Sequence, residues 1–256
     1  MRRPSPGRSD RVTTTAHGEA RVGTSGWHYA HWRGVFYPED LPTGQFLSHY
    51  TRYFDTVEIN NSFYQLPSEA TLSNWKKAVP PNFLFAVKAS SYITHRKKLK
   101  DPATSTARFL GRVKTLGEKL GPVLFQLPPH WQVNARRLEE FLAALPRDLA
   151  CAFELRDPSW FVPAIEAVLR RYGAAFCIYE FDWRLSPLTV TANFVYVRLH
   201  GPQGAYRGRY GWRGLKPWAE RVRSWRSQGL AVYVYFDNDE AGYAVQDALM
   251  LKEMVA

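Results

Sequence analysis

Apolar and polar positions alternate along this chain in a regular order. After residue 20, short runs of β-branched and aromatic residues are separated by longer stretches whose apolar residues recur every three or four positions. The runs are Ala20–Ser25, Thr56–Ser62, Leu84–Ser90, Pro122–Leu127, Cys151–Arg156, Ala175–Glu180, Phe194–His200 and Ala231–Asn238. Each reads as a strand. Between them, Phe109, Val113, Leu116 and Leu120 share one predicted helical face. Leu138, Phe141, Leu142 and Leu145 share a second, and Trp218, Val222 and Trp225 a third. Pro102 and Pro163 stand where a first helical turn tolerates a missing N–H.

Strands alternating with helices predict a parallel sheet with crossover connections. Eight such strands predict an α/β protein, a (β/α)8 TIM-type barrel, with residues 20–256 as a single barrel domain. The thirteen residues Phe181–Asn193, interrupted by Pro187, are too few for a helix and two loops. The sixth helix is therefore expected to be reduced or missing. An open doubly wound sheet competes with the barrel, but it would place a glycine-rich turn and a helix start after its first strand. Here Gly23-Thr-Ser-Gly26 runs into aromatic residues instead.

Composition changes this picture in two ways. The net charge of +11 comes from 34 basic and 23 acidic residues, and residues 1–19 supply only +2 of it, four Arg against Asp10 and Glu19. Residues 1–19 read as a flexible basic tail, and the barrel itself is basic. That favours an anionic partner, a small molecule or a nucleic acid, over ordinary solubility charge. The start lacks the apolar core of a secretory signal, and no apolar run reaches membrane-spanning length, so a cytoplasmic protein without a membrane partner is expected. Cys151 and Cys177 fall inside predicted strands and read as buried thiols in a reducing compartment. Nothing in the pattern sets an oligomeric state.

In a barrel of this kind, the chemistry sits at the C-terminal ends of the strands. Glu58, Asn60 and Ser62 alternate along the second run, so they are expected on one side. Lys88 lies late in the third run and Gln126 in the fourth. Glu154 and Arg156 pair in the fifth, Glu180 closes the sixth, Arg198 and His200 pair in the seventh, and Asp237 and Asn238 end the eighth. Inward charges must neutralise one another. A structural ion-pair ring and a functional site both satisfy that need; the clustering at the catalytic end favours the site. Glu58, Glu154, His200 and Asp237 are the candidate catalytic groups. Lys88, Arg156 and Arg198, with Asn60, Gln126 and Asn238, are the candidate substrate-binding groups. No cofactor is required by these residues. A divalent metal on His200 with Glu58, Glu154 or Asp237 is a minor alternative, because no metal spacing exists and three cations stand nearby.

Aromatic residues complete the expected rim. The loop after the seventh strand, Gly201–Gly214, carries Tyr206, Tyr210 and Trp212 beside Arg207, Arg209 and Arg213. Basic side chains interleaved with aromatics suit phosphate, a single strand or a flipped base. Trp27, Tyr64 and Trp160 are expected at the same mouth, as stacking platforms or as packing under the loops.

These residues carry a resemblance. The segments Gly23-Thr-Ser-Gly-Trp27 with Tyr29 and Trp32, Val57-Glu-Ile-Asn60 with Phe63-Tyr64, and Phe85-Ala-Val-Lys88 with Thr94-His95 resemble the "domain of unknown function 72" family. So do Gln126-Leu-Pro-Pro129, Phe153-Glu-Leu-Arg156 with Ser159-Trp160, Tyr196-Val-Arg-Leu-His-Gly201 and Phe236-Asp-Asn238, in order from about residue 21 to the C-terminus. The resemblance implies a TIM-type barrel without an established activity. One departure is Asp237, where that family's last strand commonly carries Asn. The functional expectation is a barrel that binds, and by extension hydrolyses, an anionic phosphoester or nucleic-acid-derived substrate. The alternatives are a nucleic-acid-binding module without chemistry and a carbohydrate-active barrel with Glu58 and Glu154 as paired carboxylates.

Overall fold

The computed structural model describes residues 17–256. The expected tail lies outside the described residues over 1–16. Beyond it, Gly18 exchanges hydrogen bonds with Arg226, its N–H donating to the carbonyl at 2.9 Å and its carbonyl accepting from Nε at 3.0 Å.

The strands follow the predicted runs closely. They are β1 (Ala20–Thr24), β2 (Thr56–Ile59), β3 (Leu84–Lys88), β4 (Leu120–Gln126), β5 (Cys151–Glu154), β6 (Ala175–Phe181), β7 (Arg184–Leu185), β8 (Phe194–Leu199) and β9 (Ala231–Phe236). Eight are parallel, in the order β1-β9-β8-β6-β5-β4-β3-β2, and β7 folds back antiparallel on β6. The helices α1 (Phe46–Tyr50), α2 (Glu69–Ala78), α3 (Pro102–Val113), α4 (Ala135–Ala144), α5 (Pro163–Arg171), α6 (Gly211–Ser227) and α7 (Tyr243–Val255) surround them. Pro102 and Pro163 each open a helix, as their missing N–H allows. One apolar face was misjudged: α3 ends at Val113, Gly117 turns the chain at φ +55°, and Leu120 starts β4.

Strand alternation divides the core in two. Outward residues such as Val57, Val87, Phe125, Phe153 and Val197 join the helices in one apolar cluster. A second cluster, Ala86, Leu124, Ala152, Ala175, Cys177, Phe194, Tyr196 and Tyr235, fills the barrel interior. Both cysteines are buried and unpaired. Small residues on β3, β5 and β6 leave room for the tyrosines of β8 and β9 to cross the lumen, so this layer plugs the barrel.

No helix links β6 and β8. The chain turns over Asp182 and Trp183 at φ +50° and +58° into β7. It then returns as coil in which Ser186 Oγ accepts from Tyr179 N–H at 2.9 Å and Thr191 Oγ1 from Phe176 N–H at 2.7 Å. Two hydroxyls thus occupy strand donors that would otherwise stay buried and unpaired.

The barrel closes incompletely between β1 and β2. One bridge, Ser25 to Glu58, joins their upper ends, with Gly26 N–H donating to Glu58 O at 2.8 Å. Below it the Tyr50 hydroxyl stands in the seam. It accepts from Thr24 N–H at 3.0 Å and donates to Thr56 O at 3.1 Å. A Cβ on Gly23 would stand 2.4 Å from Thr56 O, so only glycine allows the strands to approach this closely. Lower still, Arg21 Nη1 reaches Asn82 O at 2.8 Å.

This seam yields the first prediction. Tyr50→Phe leaves a buried N–H without a partner, which costs about 1–3 kcal/mol. Thermal unfolding should begin several degrees lower, at about 2–4 °C per kcal/mol for a domain of this size. An unchanged midpoint would show that the hydroxyl does not hold the seam.

Candidate functional site

The upper ends of the strands carry charge where the plug below is apolar. Arg198, projecting from β8 into the lumen, is fully buried and occupies the centre. Its Nε and Nη2 grip Glu58 at 3.1 and 2.8 Å, and Nη2 also meets Asp237 Oδ2 at 2.8 Å. Its Nη1 donates to Glu154 Oε2 at 2.8 Å. Three carboxylates from β2, β5 and the end of β9 therefore converge on one guanidinium. Burying these charges costs several kcal/mol per ion, and only pairing of this quality offsets it.

Two of the carboxylates are further tied. Glu58 also accepts from Ser25 Oγ at 2.5 Å and Tyr196 Oη at 2.7 Å. Glu154 accepts from Arg156 Nε. Burial alone would raise the Glu154 pKa, but Arg156 and Arg198 hold it well below the usual carboxylate range. Burial would likewise weaken Arg198's hold on its proton; Glu58, Glu154 and Asp237 reverse that and push its pKa further up.

His200 completes the ring as a neutral imidazole. Its Nδ1 lies 3.1 Å from Glu180 O, an acceptor only, so Nδ1 carries the proton. Nε2 is then an acceptor for Arg198 Nη1 at 2.8 Å and Arg156 Nη2 at 3.1 Å. Burial and the two arginines depress its pKa well below the ordinary histidine value.

Three groups of the ring, Asp237, Lys88 and Arg156, face the mouth. Asp237 is 7% exposed, and burial, partly countered by Arg198, raises its pKa to about 6. Lys88 is 6% exposed, and burial, with Arg198 next in weight, lowers its pKa to about 8. Among the described residues no carboxylate lies within 4.0 Å of its Nζ, which sits 4.3 Å over the Phe63 ring. Above and to one side is a cleft of about 750 Å³, which the ionic ring enters through Arg156. Gln126, Tyr179, Phe181, Arg184 and Tyr206 also line it. The Arg156 guanidinium lies 4.0 Å over Phe181, and Tyr206 packs edge-on against His200 at 5.7 Å.

The structure thus gathers Glu58, Lys88, Glu154, Arg156, Arg198, His200 and Asp237, with Gln126 and Tyr206 at the adjoining cleft. Other expected site residues stand elsewhere. β2 stops at Ile59, so Asn60 and Ser62 leave the strand and do not alternate with Glu58. Asn60, Trp27 and Tyr64 line a separate cleft beside β1 and β2. Trp160 is buried, its indole N–H donating to Trp131 O at 2.5 Å, and is packing rather than a platform. Tyr210 and Asn238 are buried scaffolding around Asp247, which accepts from Tyr210 N–H and from Asn238 Nδ2, both at 2.9 Å. Helix α6 starts at Gly211, so the expected loop is shorter; its Arg207 is exposed. Glu180 faces outward to Trp218 and Arg221 of α6. Among the described residues no three His, Cys, Asp or Glu side chains are arranged to hold a metal ion. The carboxylates a metal would need converge on Arg198 instead.

Ser25, Tyr196, Phe181 and Asp247 were not singled out by sequence. Tyr196 carried a usable signal, because it alternates with Arg198 along β8. Phe181 did not, since Asp-Trp is not a dipeptide that announces a tight hairpin.

Comparison with known proteins supplies a relationship without an activity. The UPF0759 protein YunF of Bacillus subtilis (strain 168) is 26% identical over 267 aligned positions, covering 91% of this chain and 94% of YunF. A DUF72 family protein from Thermotoga maritima MSB8 is 30% identical, covers 93% of this chain and 99% of its own, and superposes with a TM-score of 0.82. A second, from Enterococcus faecalis V583, is 22% identical over 92% of this chain and 95% of its own, with a TM-score of 0.80. The family described as "Protein of unknown function DUF72" matches residues 21–256, and the chain belongs to that family.

Proposed function

We propose that the upper face of this barrel binds an anionic, phosphoester-like small molecule between Lys88 and Arg156, over a floor formed by Asp237 and His200. The observation that carries this reading is Lys88, a buried ammonium at the mouth with an aromatic ring but no acid beside it. A buried cation without a direct ion pair, with Glu154, Asp237 and Glu58 acting on it only from beyond 4.0 Å, is incompletely neutralised, and an arriving anion relieves that cost. The second cation, Arg156, keeps Nη2 directed at the neutral His200. A ligand oxygen is a stronger acceptor than an imidazole nitrogen.

The same geometry distributes the other roles. Glu58 and Glu154 are fully buried and bonded to arginine, so they position Arg198 and Arg156 rather than meet a ligand. That removes the paired-carboxylate arrangement a glycosidase needs. Asp237 alone among the ring's acids combines access to the mouth with a pKa near neutrality. Any hydrolytic proton transfer is assigned to it.

Sulfate tests the binding, because its own charge is constant across the relevant pH range. Lys88 is cationic below about 8, and Asp237 becomes anionic above about 6. Sulfate affinity should therefore fall in two steps as pH rises, once near each value. Lys88→Met should weaken it about tenfold or more at pH 7, equivalent to about 1.4 kcal/mol. Titration calorimetry between pH 5 and 9 reads both; a flat profile, or an unaffected Lys88→Met protein, sinks the proposal. A steep dependence on salt for oligonucleotides, with no sulfate binding, would favour the nucleic-acid module instead.

Asp237→Asn gives an independent readout. The folded pKa of Asp237 is raised above 3.8, so its ionised form opposes folding above about pH 6 and ceases to do so as pH falls toward 4. The variant should be more stable than the parent at pH 7.5 by on the order of 1–3 kcal/mol. That advantage should vanish near pH 4, and the lower step in sulfate affinity should vanish with it. Equal stability of the two proteins at every pH would contradict the charge assignment.

A further inference from the structure

The cleft beside β1 and β2 has its own construction and no part in the ionic ring. It measures about 430 Å³, within the range of small-molecule sites. Gly26, at φ +92°, forms part of its wall, and a Cβ there would meet the Tyr29 hydroxyl at 2.7 Å. Tyr29 is fixed in turn, donating to Ser25 O at 2.7 Å. Trp27, nearly buried, meets Trp75 of α2 edge-to-face at 4.9 Å and 82°. Tyr64 stands at the rim, 81% exposed.

Among the cleft's polar groups, which include His28 and Asn61, Asn60 is unusual. Asn60 makes no side-chain hydrogen bond to the protein, and its Oδ1 is buried without a partner. Asn60 as a residue is half-buried and lines the cleft, so the unpaired oxygen belongs to an amide that a ligand can reach, and a native fold keeps such an oxygen for a reason. A carboxamide offers one donor and one acceptor side by side. That is the pairing by which Asn reads the edge of a purine. A sugar would need several polar partners around its hydroxyls, whereas these walls are mainly apolar and aromatic.

We propose that this cleft is a binding subsite for a planar heterocycle of the nucleobase type, stacked among Trp27, Trp75 and Tyr64 and hydrogen-bonded at its edge by Asn60. The subsite does not depend on the anion reading, because none of its residues belongs to the ring around Arg198.

Adenosine, which carries no phosphate, is the probe. Saturable quenching of tryptophan fluorescence is expected, since two of the cleft's walls are indoles. Asn60→Leu keeps the approximate volume and removes the amide; adenosine affinity should drop about tenfold, the value of one well-placed hydrogen bond. Tyr64→Ala, at an exposed side chain that the fold does not need, should weaken adenosine as well. Both variants should retain sulfate affinity wherever the parent shows it, and retain the parent's far-ultraviolet circular dichroism. Absence of saturation up to about 10 mM adenosine would overturn the proposal. So would binding of methyl glucoside in its place, or adenosine affinity indifferent to both substitutions.

Discussion

The guanidinium of Arg198 holds a full positive charge at a point where water does not reach, and the upper half of the barrel is arranged around that fact. A lone buried cation is untenable, so β2, β5 and the end of β9 each deliver a carboxylate to it. Those carboxylates bring their own needs. Glu58 draws Ser25 and Tyr196 inward, and Glu154 draws Arg156. Four strands and the start of the β1 loop are thereby locked in register at one level. Removing Glu58 or Glu154, the two fully buried partners, is the kind of change that usually costs about 3–5 kcal/mol, because the remaining charges stay buried; Asp237, whose ionisation burial opposes, is not in that class.

The barrel wall gives way at two places, and each bears on a cleft. Between β1 and β2 a tyrosine hydroxyl replaces most of the strand ladder, and the Gly26 turn above it shapes the aromatic cleft. Between β6 and β8 a hairpin replaces a helix. Asp182 and Trp183 hold positive φ without glycine, a conformation that costs free energy and is retained only where the surroundings enforce it. The hairpin supplies Arg184 and places Phe181 under Arg156, so the missing helix and the cleft beside the ionic ring have one origin.

Much of this was legible in the sequence because two-residue alternation along a strand is a strong geometric constraint. Glu154 with Arg156, and Arg198 with His200, could only converge once eight parallel strands closed a barrel. The same rule failed at Asn60, because the chain there turns into helical backbone at φ −93° and ψ −31° and opens a 3-10 turn, so the extended alternation breaks. It also gave no warning about Trp160, Tyr210 and Asn238, whose burial is set by loops packed from distant parts of the chain. Nor could it rank the members of the ring. Which acid faces solvent, and which cation lacks a partner, depends on side-chain reach across the lumen rather than on spacing.

That ranking decides the chemistry. With Glu58, Glu154 and Asp237 ionised and Lys88, Arg156 and Arg198 protonated, the ring is neutral, and an anion entering it would meet no net attraction. For the proposed anion site, the unequal placement of the charges is what would favour binding. The acids Glu58 and Glu154 lie deep against Arg198, while Lys88 and Arg156 lie toward the mouth, so a ligand bound as proposed would meet the cations first. Asp237 is the exception, an acid near the mouth. Its pKa near 6 means that a bound anion can call a proton onto it at little cost, turning a repulsive neighbour into a hydrogen-bond donor. On the proposed anion reading, binding and the uptake of a proton would be coupled through this one side chain, and with asparagine in its place the same ring would bind without that coupling.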